Sequence, residues 1–181
     1  MKKKTCFIVV LLLSVCLTYA QNNFEGFDGF PWNTTVSEFL KKFPEAKDST
    51  DSDDKERNER VFQRSSSTVI RVYRFYGDKL YWGRTVYQDP DLETEKAILE
   101  KIVDTYGKFD DSNTWTEDGN EYLSVWKTIS PTFDIEFTEV KYYNSYGRVT
   151  GLNVFITYEN AKTRKEADEY YKNSKKKNIE L

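Results

Sequence analysis

A chain of 181 residues with 27 basic and 30 acidic side chains and no histidine has a restricted chemistry. Its two cysteines, Cys6 and Cys16, both stand in the first twenty residues. Ser-His-Asp and Cys-His nucleophile systems, histidine zinc sites and thiolate clusters are therefore excluded, and any catalysis would rest on Asp, Glu, Lys, Tyr, Ser or Thr.

The first segment, Met1-Lys2-Lys3-Lys4-Thr5, is positively charged. An apolar run from Cys6 to Leu17, broken only by Ser14, follows it, and Thr18 and Ala20 place small residues at −3 and −1 of a cut before Gln21. This is the three-part plan of a secretory signal peptide over residues 1–20. The apolar run is about twelve residues, short of the roughly 20 that span a bilayer, and no later segment approaches that length. The expected product is therefore exported, periplasmic or extracellular, with no transmembrane segment. Leu13-Ser14-Val15-Cys16 also resembles a bacterial lipobox, which makes a lipid anchor through Cys16 the alternative. Val15 stands where such motifs carry a small residue and disfavours it. Losing the leader removes three lysines and leaves 24 bases against 30 acids, a net −6. That balance opposes nucleic-acid binding. A cysteine-free product of about 160 residues must hold together by its core and suits one domain. The 13 tyrosines and 12 phenylalanines are suited to filling it.

After the cut, Phe24 to Thr35 reads as a short strand and turn leading into a helix. Thr35 and Glu38 have capping-box spacing, and Val36, Phe39, Leu40 and Phe43 mark one apolar face ended by Pro44. Residues 45–60 are almost wholly polar and read as a mobile surface loop. Strands are expected at Val61 to Arg64, Thr68 to Tyr76 and Lys79 to Gln88, the last two joined at Gly77-Asp78. Asp89-Pro90-Asp91 reads as the start of a helix lined by Leu92, Leu99, Ile102, Val103 and Tyr106 and stopped by Gly107. A polar loop containing Asp118-Gly119-Asn120 leads to strands at Tyr122 to Ile129, Thr132 to Val140 and Val149 to Tyr158. Residues 161–181 read as a charged C-terminal helix and tail, with Ala167, Tyr170 and Tyr171 as a weak apolar stripe. The order is helix-β-β-β twice, then a helix. Antiparallel strands with helices on one face give a two-layer α+β domain over residues 21–160.

The stretch Phe27-Asp28-Gly29-Phe30-Pro31-Trp32-Asn33-Thr34-Thr35, with Glu38-Phe39-Leu40 and Thr105-Tyr106-Gly107-Lys108, resembles a loose class of exported bacterial α+β proteins that open with a Gly-x-Pro-Trp-x-Thr turn. Here Asn33 stands where that class carries Gly. The element order is similar in topology to the β-lactamase inhibitory protein and to small outer-membrane assembly lipoproteins. That similarity implies a binding protein.

Candidate sites compete with simpler structural roles. Asp51, Asp53 and Asp54 lack the glycine turn of a calcium loop, so no metal or cofactor is expected. Asp134 and Glu136 lie on one strand face roughly 6.5–7 Å apart, a spacing shared with inverting glycosidases and with any such strand pair. Lys172 and Lys175 to Lys177 form a basic tail, suited to a helix C-terminus. Asn33-Thr34-Thr35 fits a glycosylation sequon, but in a bacterial-looking chain it reads as the start of a helix. Trp32, Trp82, Trp115 and Trp126 read mainly as core. Tyr142, Tyr143 and Tyr146, before the turn at Gly147, are the candidate binding rings. The expectation is a non-enzymatic envelope or secreted protein that binds a macromolecule, either an envelope protein or a cell-wall glycan. The alternatives are a carboxylate-dependent glycan hydrolase and a structural envelope component.

Overall fold

The computed structural model describes residues 25–179. The expected leader, with Cys6 and Cys16, and the expected start at Gln21 lie outside the described residues. The chain begins with β1 (Gly26–Phe27) and β2 (Phe30–Pro31), followed by α1 (Val36–Lys42), β3 (Lys47–Asp48) and α2 (Ser52–Glu56). Then come β4 (Glu59–Ser65), β5 (Val69–Tyr76), β6 (Lys79–Gln88) and α3 (Leu92–Tyr106). The rest is β7 (Asp111–Glu117), β8 (Asn120–Ser130), β9 (Phe133–Tyr143), β10 (Val149–Glu159) and α4 (Ala161–Ile179). The class is α+β. Among the described residues no helix is long and apolar enough to cross a membrane.

One eight-stranded antiparallel sheet runs β3-β4-β5-β6-β10-β9-β8-β7. Each half opens with a helix and contributes four strands, with α2 inserted between β3 and β4 in the first. The two halves lie as mirror sequences that meet where β6 pairs with β10, from Asn153↔Gln88 to Glu159↔Trp82. Cross-strand partners share a face. Phe62, Tyr73, Gly83, Tyr158 and Ile135 form one row across the sheet. Val72, Arg84, Thr157, Glu136 and Trp126, a residue further along, form a row on the opposite face.

The first face carries the core. Thr35 caps α1 in a reciprocal box with Glu38, and the helix lays Phe39 against Tyr73 at 4.6 Å, Phe75 at 5.4 Å and Phe62 at 5.5 Å between ring centres. In α3, Ile102 is the buried contact while Leu99 is half-buried, and Tyr106 meets Phe133 edge-on. Within β9, Phe133, Ile135 and Phe137 are buried and alternate with more open polar residues, the pattern of a sheet with one wet side. The β1-β2 hairpin turns at Asp28 (φ 52°) and Gly29 (φ 79°) and presses Phe27 onto the seam. A Cβ on Gly83 would lie 2.1 Å from that ring, so only glycine leaves room for it. Asn33 has φ 71°, the left-handed region that glycine and asparagine tolerate, and Thr34 donates to the Pro31 carbonyl.

The structure departs from the sequence-based expectation in four places. Residues 45–60 hold β3 and α2 rather than an unbroken loop. Asp51 and Asp54 cap α2 reciprocally, and buried Asp54 and Glu59 both bind Arg74, at 2.7 and 2.8 Å, with the Tyr81 hydroxyl donating to Glu59. Residues 111–117 form β7, joined to β8 by a turn at Asp118 (φ 51°) and Gly119 (φ 77°); the Asp-Gly pair is a two-residue hairpin signal. Asp91, rather than Asp89, caps α3 by accepting from the Thr94 N–H, while Asp89 pairs with Leu152. Leu92 is 77 % exposed, so the apolar face of α3 starts a turn later.

The C-terminal helix touches residues of the second face. Tyr170 packs on Tyr76 and Arg164 reaches Glu159, while Lys175 pairs with Glu56 at the end of α2.

Replacing Gly83 by alanine forces Phe27 off the seam, and overpacking of this kind costs about 1–3 kcal/mol. The expected outcome in thermal denaturation is a melting point lower by several degrees, and Gly83→Ala combined with Phe27→Ala is expected to show less than the sum of the single effects.

Candidate functional site

Beyond the reach of α4, the second face of the sheet carries large side chains that no described element covers. Trp126 on β8 is 36 % exposed and Trp115 on β7 is 37 % exposed, whereas Trp32 and Trp82 are each 7 % exposed. Trp115 stacks on its cross-strand partner Tyr122, ring centres 4.9 Å apart and planes 9° from parallel. Phe155, Val86 and Ile70 form a half-buried apolar row next to the row of Trp126.

A polar strip crosses this surface. Arg84 donates from Nε to Thr157 at 3.0 Å, and its guanidinium lies 4.8 Å from the Trp82 ring and 5.5 Å from Phe155. Burial and then the nearby Arg74 and Arg164 pull it below the ordinary arginine range, against the pull of Glu136. Glu136 is held by Ser124. Asp134, Glu136 and Glu159 line a cavity of about 380 Å³ with Trp126, Thr128 and Thr157. Glu159 is pushed up, chiefly by burial, and Asp134 Oδ1 is buried with no hydrogen-bond partner among the described residues. Among the described residues no cluster of acids is arranged to hold a metal ion.

The structure does not bring the three candidate tyrosines together. Tyr142 lies on the open face, its hydroxyl accepting from Asn153. Tyr143, the next residue along the strand, points to the other face and donates to Glu121 at 2.7 Å. Tyr146, 87 % exposed, stands at the tip of the turn. The tryptophan signal was present in the sequence at β8, where Tyr122, Ser124 and Trp126 alternate with Leu123 and Val125. A strand with large residues on both faces has one set left over when only one face has a core. Trp115 gave no such signal, because its neighbours read as loop.

A second cluster stands on the helix-covered face near β8. Glu139 is buried and pairs with Lys141 at 2.5 Å, and Glu95 of α3 faces it. The hydrogen bond to Glu139, with some burial, pushes Glu95 up to about 7, while Glu139, helped by Glu95 and Lys141 against its own burial, is lowered. The folded chain therefore keeps a proton on Glu95 that an unfolded glutamate releases near 4.5. More protons are bound folded than unfolded between those values, so stability falls as the pH rises through that window. Glu95→Gln keeps a donor for Glu139 without titrating. Melting curves from pH 5 to pH 8 are expected to fall for the parent and to be flatter for the variant; superimposable profiles would show that Glu95 and Glu139 do not share a proton.

No protein-family model matches the chain, and no curated protein and no solved structure was found to be similar to it.

Proposed function

We propose that this chain is an exported, non-enzymatic protein that binds a macromolecular partner on the open face of its second half-sheet. In this reading α1, α3 and the β1-β2 hairpin form the covering layer on one side, and α4 shields only the end of the other. The observation that carries it is the pair of exposed tryptophans, Trp115 and Trp126, on adjacent strands of one uncovered face. Large contiguous apolar surface on a folded domain marks an interaction site, and Trp, Tyr and Arg dominate the energetics of such sites. Arg84 adds a charged group already held in place by Thr157 and two rings. Its burial costs least when the partner completes its hydrogen bonds.

Paired substitution separates this surface from the tyrosine turn. Trp115→Ser with Trp126→Ser removes rings that contribute little to the core, so the melting point is expected to stay within a few degrees. Capture of the partner from envelope extracts, read by mass spectrometry, is expected to drop by about 2 kcal/mol or more, roughly thirty-fold. The triple serine variant of Tyr142, Tyr143 and Tyr146 is expected to retain most of the capture. Loss of capture in the tyrosine variant alone would move the site to the turn. Hydrolysis of a cell-wall glycan by the parent, abolished by Asp134→Asn, would replace binding with catalysis at the acid-lined cavity.

A further inference from the structure

The two edges of the eight-stranded sheet are unequal. At one end β3 is two residues long. At the other, β7 is seven residues long, exposed at every position, and among the described residues pairs with β8 alone. Edge strands are normally blunted with proline, lysine, bulges or shortness. Asp-Ser-Asn-Thr-Trp-Thr-Glu has no proline and no base, and its pairing with β8 runs without a shift in register.

The hairpin turn at Asp118-Gly119 makes Glu117 and Asn120 the closing pair. Bonding alternates along an antiparallel strand, so Glu117, Trp115, Asn113 and Asp111 face β8, and Ser112, Thr114 and Thr116 turn their backbone groups outward. The Ser112 N–H is met by Asp111 Oδ1 at 2.8 Å, which fits this assignment. We propose that the outer edge of β7 accepts an extended segment of a partner protein as a ninth, antiparallel strand, with basic side chains at its ends and centre.

The charge of the edge selects the partner. Asp111, Glu117 and Asp118 flank a neutral centre, while Asp110 beside them is already paired with Lys127. A second copy paired about Thr114 would set Asp111 opposite Glu117 at both ends, and like charges directly opposite destabilise a sheet. A strand with basic ends meets the same acids favourably. Beside the edge lies a cavity of about 410 Å³ lined by Thr114, Thr116, Leu123, Glu121 and Glu139, with Lys141. Lys141 is already paired with Glu139. A residue opposite Thr114 shares its face, so a central lysine can lay its carbon stem on Leu123 and bring its ammonium to Glu121. Main-chain bonds then give affinity and the cavity gives selectivity, the usual division in strand addition.

The proposal rests on the reading that the partner is a protein, but its test does not require that partner. The probe is the acetylated, amidated heptapeptide Lys-Thr-Val-Lys-Val-Thr-Lys, titrated into the nitrogen-15-labelled chain. Saturable shifts and slowed hydrogen exchange are expected at the Thr114 and Thr116 amides. Replacing the three lysines by glutamates should weaken binding about ten-fold or more. Methylating the peptide nitrogens of its second, fourth and sixth residues, which would face β7, should abolish it. Thr114→Pro removes an outward N–H that edge strands tolerate losing and should also abolish binding; the methylated peptide gives the same answer if that variant does not fold. No shift at Thr114 with millimolar peptide, equal binding of the methylated peptide, shifts confined to Trp126 and Phe155, or a concentration-dependent dimer through β7 would each overturn it. Trp115→Ser with Trp126→Ser abolishing partner capture while peptide binding persists would uphold the open face separately; persistence of both would remove that face and leave the strand edge standing.

Discussion

A phenyl ring resting on a glycine at the seam of the sheet sets the two sides of this protein apart. Phe27 lies over Gly83, where a methyl group would lie 2.1 Å from the ring, between Tyr73 at 5.1 Å and Tyr158 at 5.5 Å. Tyr73 belongs to the first half-sheet and Tyr158 to the second, so one ring from the N-terminal hairpin touches both. Phe30 of the same hairpin meets Phe39 of α1, and Trp32 after it meets Phe133 of β9. The hairpin thereby ties the helix-covered layer across the junction of β6 and β10.

The consequence for the opposite face follows from the period of a strand. Every residue that turns toward Phe27 sends its neighbours the other way. One half of that other side is occupied by the buried acids Asp54 and Glu59 around Arg74 and by α4 as far as Tyr170. The remaining half has rings and an arginine and no covering element. A buried charge without a close counter-charge is expensive. The neighbouring Glu136 and Thr157 reduce that cost at Arg84 without forming an ion pair of the kind Arg74 makes. The same contrast separates the tryptophans: Trp82 on β6, the strand that α4 contacts, is buried, and Trp126 on β8, three strands away, is open.

Much of the architecture was legible in the residues. The Thr35–Glu38 box, the alternation of Phe133, Ile135 and Phe137, and the Gly77-Asp78 turn each rest on a local rule whose physics is settled within a few residues. Four features were not. Asp54 and Glu59 looked like solvated acids because their partner, Arg74, stands on β5 and only the sheet brings them together. Strand β7 has no alternation to read, because an edge strand exposed throughout has no buried face to impose one. The cap of α3 shifted from Asp89 to Asp91 because Asp89 is drawn to Leu152 of β10. The divergence of Tyr142 and Tyr143 was implicit in their adjacency, since consecutive strand residues point opposite ways. It became visible only when β9 proved to extend to Tyr143.

Side-chain accessibility in the free and partner-bound protein tests the central claim most directly. Hydroxyl-radical footprinting read by mass spectrometry measures it ring by ring. In the free chain Trp115 and Trp126 are expected to oxidise readily, with Trp32 and Trp82 protected. On binding the partner, Trp115, Trp126, Phe155 and Tyr142 are expected to become protected together while Leu92 on α3 stays reactive. Unchanged oxidation of Trp126 and Phe155 in the complex, with protection appearing on α3 instead, would contradict the assignment of the open sheet face as the binding surface.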